Sequence, residues 1–321
     1  MNKNVKKEKA RKQKPSKFLT ANEQCIKAAK FAEIGRIEEA IKFFREAIET
    51  DPRFVDAYYN LGVLLVKQGN LDEAIEKFEK AVEINPYFLD AYYNLGCLFK
   101  ESHRFEMAIL KYKEALRINP NFAEAYYNLG GVYKELGSYN KAITNYQRAI
   151  AINPDFSEAY NNLGNVFYDA GRWEDAVKYY QRAVILMPNF AGVHNNLGYS
   201  LKELGQVDQA ISSFRKAIDV DPSFAEAEYS LGNTLRETGL WEEAIVSYKK
   251  VLSIKPEHDK AYYYLGISQQ YTGRMADAIN SYKEAIKINP KAKERIMKQI
   301  SLLPTGQMWL DLRECRKALT A

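Results

Sequence analysis

Eight of the ten prolines in this 321-residue sequence stand at Pro52, Pro86, Pro120, Pro154, Pro188, Pro222, Pro256 and Pro290, at a constant spacing of 34 residues. Proline lacks a backbone N–H and breaks helices, so unrelated local demands would not place it so evenly. A fixed period of this size marks a stack of one repeated supersecondary unit, each copy burying its apolar face against the next. The period therefore overrides the two globular domains that a chain of this length would otherwise suggest.

One period, residues 55–88, reads VDAYYNLGVLLVKQGNLDEAIEKFEKAVEINPYF. Its first half carries apolar or small residues at Ala57, Tyr58, Leu61, Gly62 and Leu65, which is helical spacing. Gly69 interrupts the pattern, and Leu71, Ala74, Ile75, Phe78, Ala81 and Val82 resume it before Pro86. The unit is predicted to be two amphipathic helices of about 12–14 residues joined by a glycine turn.

The other copies keep these features. The turn glycine returns as Gly35, Gly137, Gly171, Gly205, Gly239 and Gly273, with His103 as the exception. A helix that ends in a left-handed residue favours glycine there. Alanine fills the same position of the second helix from Ala40 to Ala278 without a break, and an aromatic follows it from Phe44 to Tyr282. A glycine inside the first helix, from Gly62 to Gly266, costs roughly 1 kcal/mol against alanine, so its repetition implies close helix packing.

This pattern of aromatic–x–x–Leu–Gly, then Gly, Ala, aromatic, Ala and Pro resembles the tetratricopeptide repeat family over residues 21–292. The units are 21–54, 55–88, 89–122, 123–156, 157–190, 191–224, 225–258 and 259–292. The resemblance implies an all-α, right-handed superhelical solenoid whose first helices line a concave groove. Unit one departs from the motif at Gln24 and Lys27, which suits a terminal copy with one face in water. Residues 293–321 depart further. Ile296, Ile300 and Leu303, a turn at Pro304, and Trp309, Leu310 and Leu312 predict a degenerate ninth pair of capping helices.

The net charge of +5 belongs to the ends: residues 1–20 carry +7 and residues 291–321 carry +4, leaving −6 for the repeats. Residues 1–20 read as a basic, disordered arm, which is not followed by the apolar stretch of a secretory signal. No run is long enough to span a membrane, and Cys25, Cys97 and Cys315 have neither disulfide nor metal spacing. An intracellular, cytoplasmic protein is expected.

No catalytic residue, cofactor or metal is expected, so the chain does not read as an enzyme. His103, His194 and His258 fall at unrelated places in their repeats and read as structural. Carboxylates lie at helix-surface spacing with Lys at i+4, the pattern of a solvated face.

Functional residues should be those of the groove that packing does not demand. With each unit numbered from 1, position 6 holds Asn60, Asn94, Asn128, Asn162 and Asn196. Asparagine is a mediocre helix former, and its amide can pair with a peptide backbone without reading side chains. The other reading is hydrogen bonding between helices. The series resembles that of the repeats in O-linked N-acetylglucosamine transferases, in the groove only. Position 5 adds Tyr59, Tyr93, Tyr127, Asn161 and Asn195; position 9 adds Asn165 and Asn233; position 12 adds Lys134, Lys202 and Arg236, facing acids at position 2. No three consecutive units carry the set by which chaperone-binding relatives clamp two carboxylates, namely Lys at position 5, Asn at positions 9 and 6, then Lys and Arg in the third unit. The expected role is a scaffold holding an extended peptide or flexible protein segment. Alternatives are a nucleic-acid adaptor acting through the arm 1–20, and self-association through the C-terminal cap.

Overall fold

A computed structural model describes residues 19–301. Residues 1–18 of the basic arm, and the Pro304 turn with Trp309, lie outside the described residues. Among the described residues the regular structure is all helix. The first helices of the repeats are α1 (Ala21–Glu33), α3 (Val55–Lys67), α5 (Leu89–Glu101), α7 (Ala123–Glu135), α9 (Ser157–Asp169), α11 (Ala191–Glu203), α13 (Ala225–Glu237) and α15 (Asp259–Tyr271). The second helices are α2 (Ile37–Thr50), α4 (Leu71–Ile84), α6 (Phe105–Ile118), α8 (Tyr139–Ile152), α10 (Trp173–Leu186), α12 (Val207–Val220), α14 (Trp241–Ile254) and α16 (Met275–Ile288). A further helix, α17 (Ala292–Ser301), packs on α15 and α16.

The chain divides into two compact units, one ending at Val132 and the other beginning at Tyr133. Within each, hairpins such as α3/α4 and α11/α12 pack internally, and second helices such as α4 and α12 also pack on the next first helix.

Local chemistry sets the ends of the helices. After α3, Gly69 adopts φ +80° and Asn70 donates its N–H to the Leu65 carbonyl at 2.9 Å, closing the last turn. His103 takes the same left-handed conformation at φ +56°, as no other non-glycine among the described residues does. At the far end of α4, Asn85 is extended, as a residue before proline must be. Its side chain accepts the Tyr87 N–H at 3.0 Å, and Asp51, Asn119, Asn153 and Asp221 repeat the arrangement.

The core follows the repeat. Ala40, Ala74, Ala108 and their successors are fully buried, as are the aromatics at Phe78, Tyr112, Phe214 and Tyr282. Full burial of each such ring contributes about 1.5–3 kcal/mol. Gly198 shows why its position stays small, since a Cβ there would stand 2.6 Å from the Phe214 ring.

One expectation holds in part and a second is corrected. Gln24 is buried in unit one, while Lys27 is exposed with its ammonium 4.2 Å from the Phe43 ring centre. The surface ion pairs are mostly not i,i+4. Arg172–Asp175 and Lys80–Glu83 are three residues apart, and Arg45–Glu73 and Arg215–Glu243 join neighbouring second helices at 2.9 and 2.7 Å. The long arginine side chain reaches from one second helix to the next in both of these pairs.

Candidate functional site

In the first unit, two of the three position-6 asparagines tie first helices together. Asn128 on α7 donates to the Tyr93 hydroxyl on α5 at 2.9 Å, and Lys100 donates to the Asn128 carbonyl at 3.0 Å. Asn94 donates to the Tyr59 hydroxyl at 3.3 Å. Asn60 follows Cys25 in place of a tyrosine, and its amide turns back to the Asp56 carbonyl of its own helix at 2.8 Å. Tyr59 and Tyr93 are half-buried, with their rings 4.8 and 4.9 Å from Phe88 and Phe122. Burial pushes both phenols above the ordinary range. Tyr127 stands at the same position of α7, also half-buried.

The second unit brings asparagines into one cluster across α9 and α11. Asn161 and Asn165 donate to the Asn162 carbonyl at 3.5 and 3.4 Å, and Asn196 donates to Asn161 and Asn165 at 3.4 and 3.2 Å. Asn195 is only 2% exposed; its amide lies 3.5 Å from a Glu226 oxygen, and its carbonyl has no partner. These bonds are longer than the 2.9–3.0 Å typical of N–H···O pairs.

Position 9 has a second task. Asn165 accepts the Tyr180 hydroxyl at 2.6 Å and Asn233 accepts the Tyr248 hydroxyl at 2.8 Å. In the first unit Cys97 accepts from Tyr112 at 3.4 Å. Where the core aromatic is Phe78, position 9 is Val63. A polar residue at position 9 thus satisfies the buried phenol in these three repeats, whereas Tyr282 follows Ile267 at that position and donates to Gln270 instead.

The position-12 cations do not meet the position-2 acids. Lys134 pairs with Asp169 at 3.7 Å and Lys202 with Glu237 at 2.8 Å, in each case the position-13 acid of the following repeat. Arg236 contacts Glu237 at 3.3 Å and lies 4.6 Å from the Tyr264 ring centre.

The histidines serve the fold. His194 is buried, with Nε2 2.9 Å from the Pro188 carbonyl, the contact that the Tyr58 hydroxyl makes to Pro52 at 3.3 Å. His258 caps α15, its Nδ1 accepting the Ala261 N–H at 3.0 Å. Burial raises the Cys97 thiol, so it is not an activated nucleophile. Among the described residues no cluster of three His, Cys, Asp or Glu could hold a metal ion, and no helix is long and apolar enough to cross a membrane.

Family models described as "TPR repeat" match residues 30–69, 98–137, 130–171 and 164–205. Models described as "Tetratricopeptide repeat" match 55–88, 259–292, 195–259 and 77–109, so matches run unbroken from 30 to 292. The chain is a tetratricopeptide repeat protein. Such proteins are generally interaction scaffolds, and this chain has their helical-repeat architecture. No curated protein sequence matches it. Among solved structures it is similar to MamA protein, at 26% identity and TM-score 0.50 over 54% of this chain and 94% of that one. It shares the fold of YrrB, described as a TPR protein with an unusual peptide-binding site, at 22% identity, TM-score 0.53, and 60% and 98% coverage. A tetratricopeptide repeat protein from Parabacteroides merdae ATCC 43184 aligns over 78% of this chain and 98% of its own, at 19% identity and TM-score 0.56.

Proposed function

We propose that the second unit of this tetratricopeptide repeat protein holds an extended peptide segment against the asparagine cluster of α9 and α11. The observation that carries the reading is the unsatisfied Asn195 carbonyl beside bonds of 3.2–3.5 Å among Asn161, Asn162, Asn165 and Asn196. Buried polar groups are nearly always paired, and stretched bonds forfeit little when exchanged. An amide carries both donor and acceptor, so such a cluster pairs with main-chain N–H and C=O groups whatever the ligand's side chains. Lys134 and Lys202 border the cluster in sequence and are already balanced by acids, so they contribute steering more than grip. Asn94 and Asn128 of the first unit bond to Tyr59 and Tyr93, which favours them as ties between helices. Free, scattered cysteines fit an intracellular setting.

Peptides selected from a random library on the full chain test this. They should lose binding to an Asn161→Ala/Asn196→Ala variant whose helical melt is unchanged, while Asn94→Ala in the first unit leaves binding intact. Undiminished binding to the double variant would sink the assignment.

A further inference from the structure

At the end of the second unit two arginines lie over tyrosine rings. The Arg236 guanidinium on α13 is 4.6 Å from the centre of Tyr264, and that of Arg295 on α17 is 3.9 Å from the centre of Tyr263. The two rings are 5.0 Å apart, and Tyr229 stands 6.2 Å from Tyr264, so both cations belong to one aromatic cluster.

Charge there is not balanced. Glu237 is shared by Lys202 and Arg236, and Arg295 forms no ion pair with a described carboxylate. The Nε of Arg236 is buried without a partner, and its side chain is 21% exposed. A guanidinium laid by its face on a ring keeps its N–H groups in plane at the edge, the geometry that grips a carboxylate with two bonds. Arg236 occupies position 12 and Arg295 belongs to the final helix, so neither uses the positions of the two-carboxylate clamp.

We infer that this cluster binds the carboxylate side chains of an acidic peptide segment. The inference rests on the peptide-binding reading above and gives that ligand its chemistry. Packing on the tyrosines fixes the cations before the ligand arrives, which limits the entropy lost on binding.

The test uses the full chain and three labelled peptides read by fluorescence anisotropy: alternating Ala-Glu, the same with Gln for Glu, and the same with phosphoserine for Glu. The glutamate peptide should bind at least ten-fold tighter than the glutamine peptide, with the preference shrinking as salt rises. Arg236→Gln/Arg295→Gln should remove that preference. Arg295→Gln alone, at an exposed side chain, should reduce it without disturbing the fold. Equal binding of glutamate and glutamine peptides, binding of the phosphoserine peptide alone, or a preference that survives in the arginine variants would each overturn the inference. If the glutamate and glutamine peptides bind equally and Asn161→Ala/Asn196→Ala abolishes both, the peptide reading stands without the anion site. If the arginines govern binding and the asparagines do not, the anion site stands and the asparagine reading falls.

Discussion

Asn128 and Tyr93, thirty-five residues apart, are joined by a 2.9 Å hydrogen bond that links the first helices of two consecutive repeats. Tyr93→Phe deletes the acceptor and leaves a half-buried amide donor, so it should cost about 0.5–1.5 kcal/mol in urea unfolding. Asn128→Ala should cost a similar amount, and the two together less than their sum. Strict additivity would show that the bond contributes nothing.

Gly198→Ala places a methyl 2.6 Å from the Phe214 ring. Overpacking of this kind costs about 1–3 kcal/mol, against a gain of about 1 kcal/mol in helix propensity, so a net loss near 1 kcal/mol is expected. A gain in thermal midpoint would show that the ring yields freely.

His103 holds a left-handed backbone at φ +56°. That conformation costs an ordinary residue about 1–2 kcal/mol, and glycine returns part of this through the unfolded chain. His103→Gly should therefore stabilise by about 0.5 kcal/mol, with Gly69→His a matched loss. A destabilised His103→Gly would mean that the His103 ring against Phe105, 5.6 Å between centres, outweighs the backbone term.

Burial holds the His258 imidazole below its ordinary value of 6.5, and its Nδ1 must stay unprotonated to accept from Ala261. The folded-state value lies below the unfolded one. The stabilisation is therefore complete above pH 6.5 and is lost as pH falls through the depressed value. His258→Asn keeps a cap acceptor that cannot protonate, so its thermal midpoint should fall less than the wild type's between neutral and mildly acidic pH. Parallel pH profiles would remove His258 from the acid response.

The fold was legible because repetition averages over accidents. Ala74, Phe78 and Gly69 recur in register with their counterparts, and a residue demanded at the same place in successive copies reports packing or backbone geometry. The site was less legible. Asn162 and Asn165 look alike in sequence, yet the Asn165 carbonyl is taken by Tyr180. Lys202 stands ten residues after position 2, where five of the eight units carry Asp or Glu, yet its partner is Glu237 of the next repeat.

The sequence by itself determined the helical hairpin, its turns and its buried alanines and aromatics, since these depend on neighbours within about one period. Only the tertiary structure decided how the asparagines are used. Asn128 meets a tyrosine hydroxyl, whereas Asn196 meets other amides, because the facing residue of the preceding repeat is Tyr93 in one case and Asn161 in the other. Tertiary packing likewise brought Arg236 and Arg295 to adjoining tyrosines, a meeting of charges nearly two repeats apart. Hydrogen bonds and stacking act over a few ångströms, so distances along the chain could not reveal them.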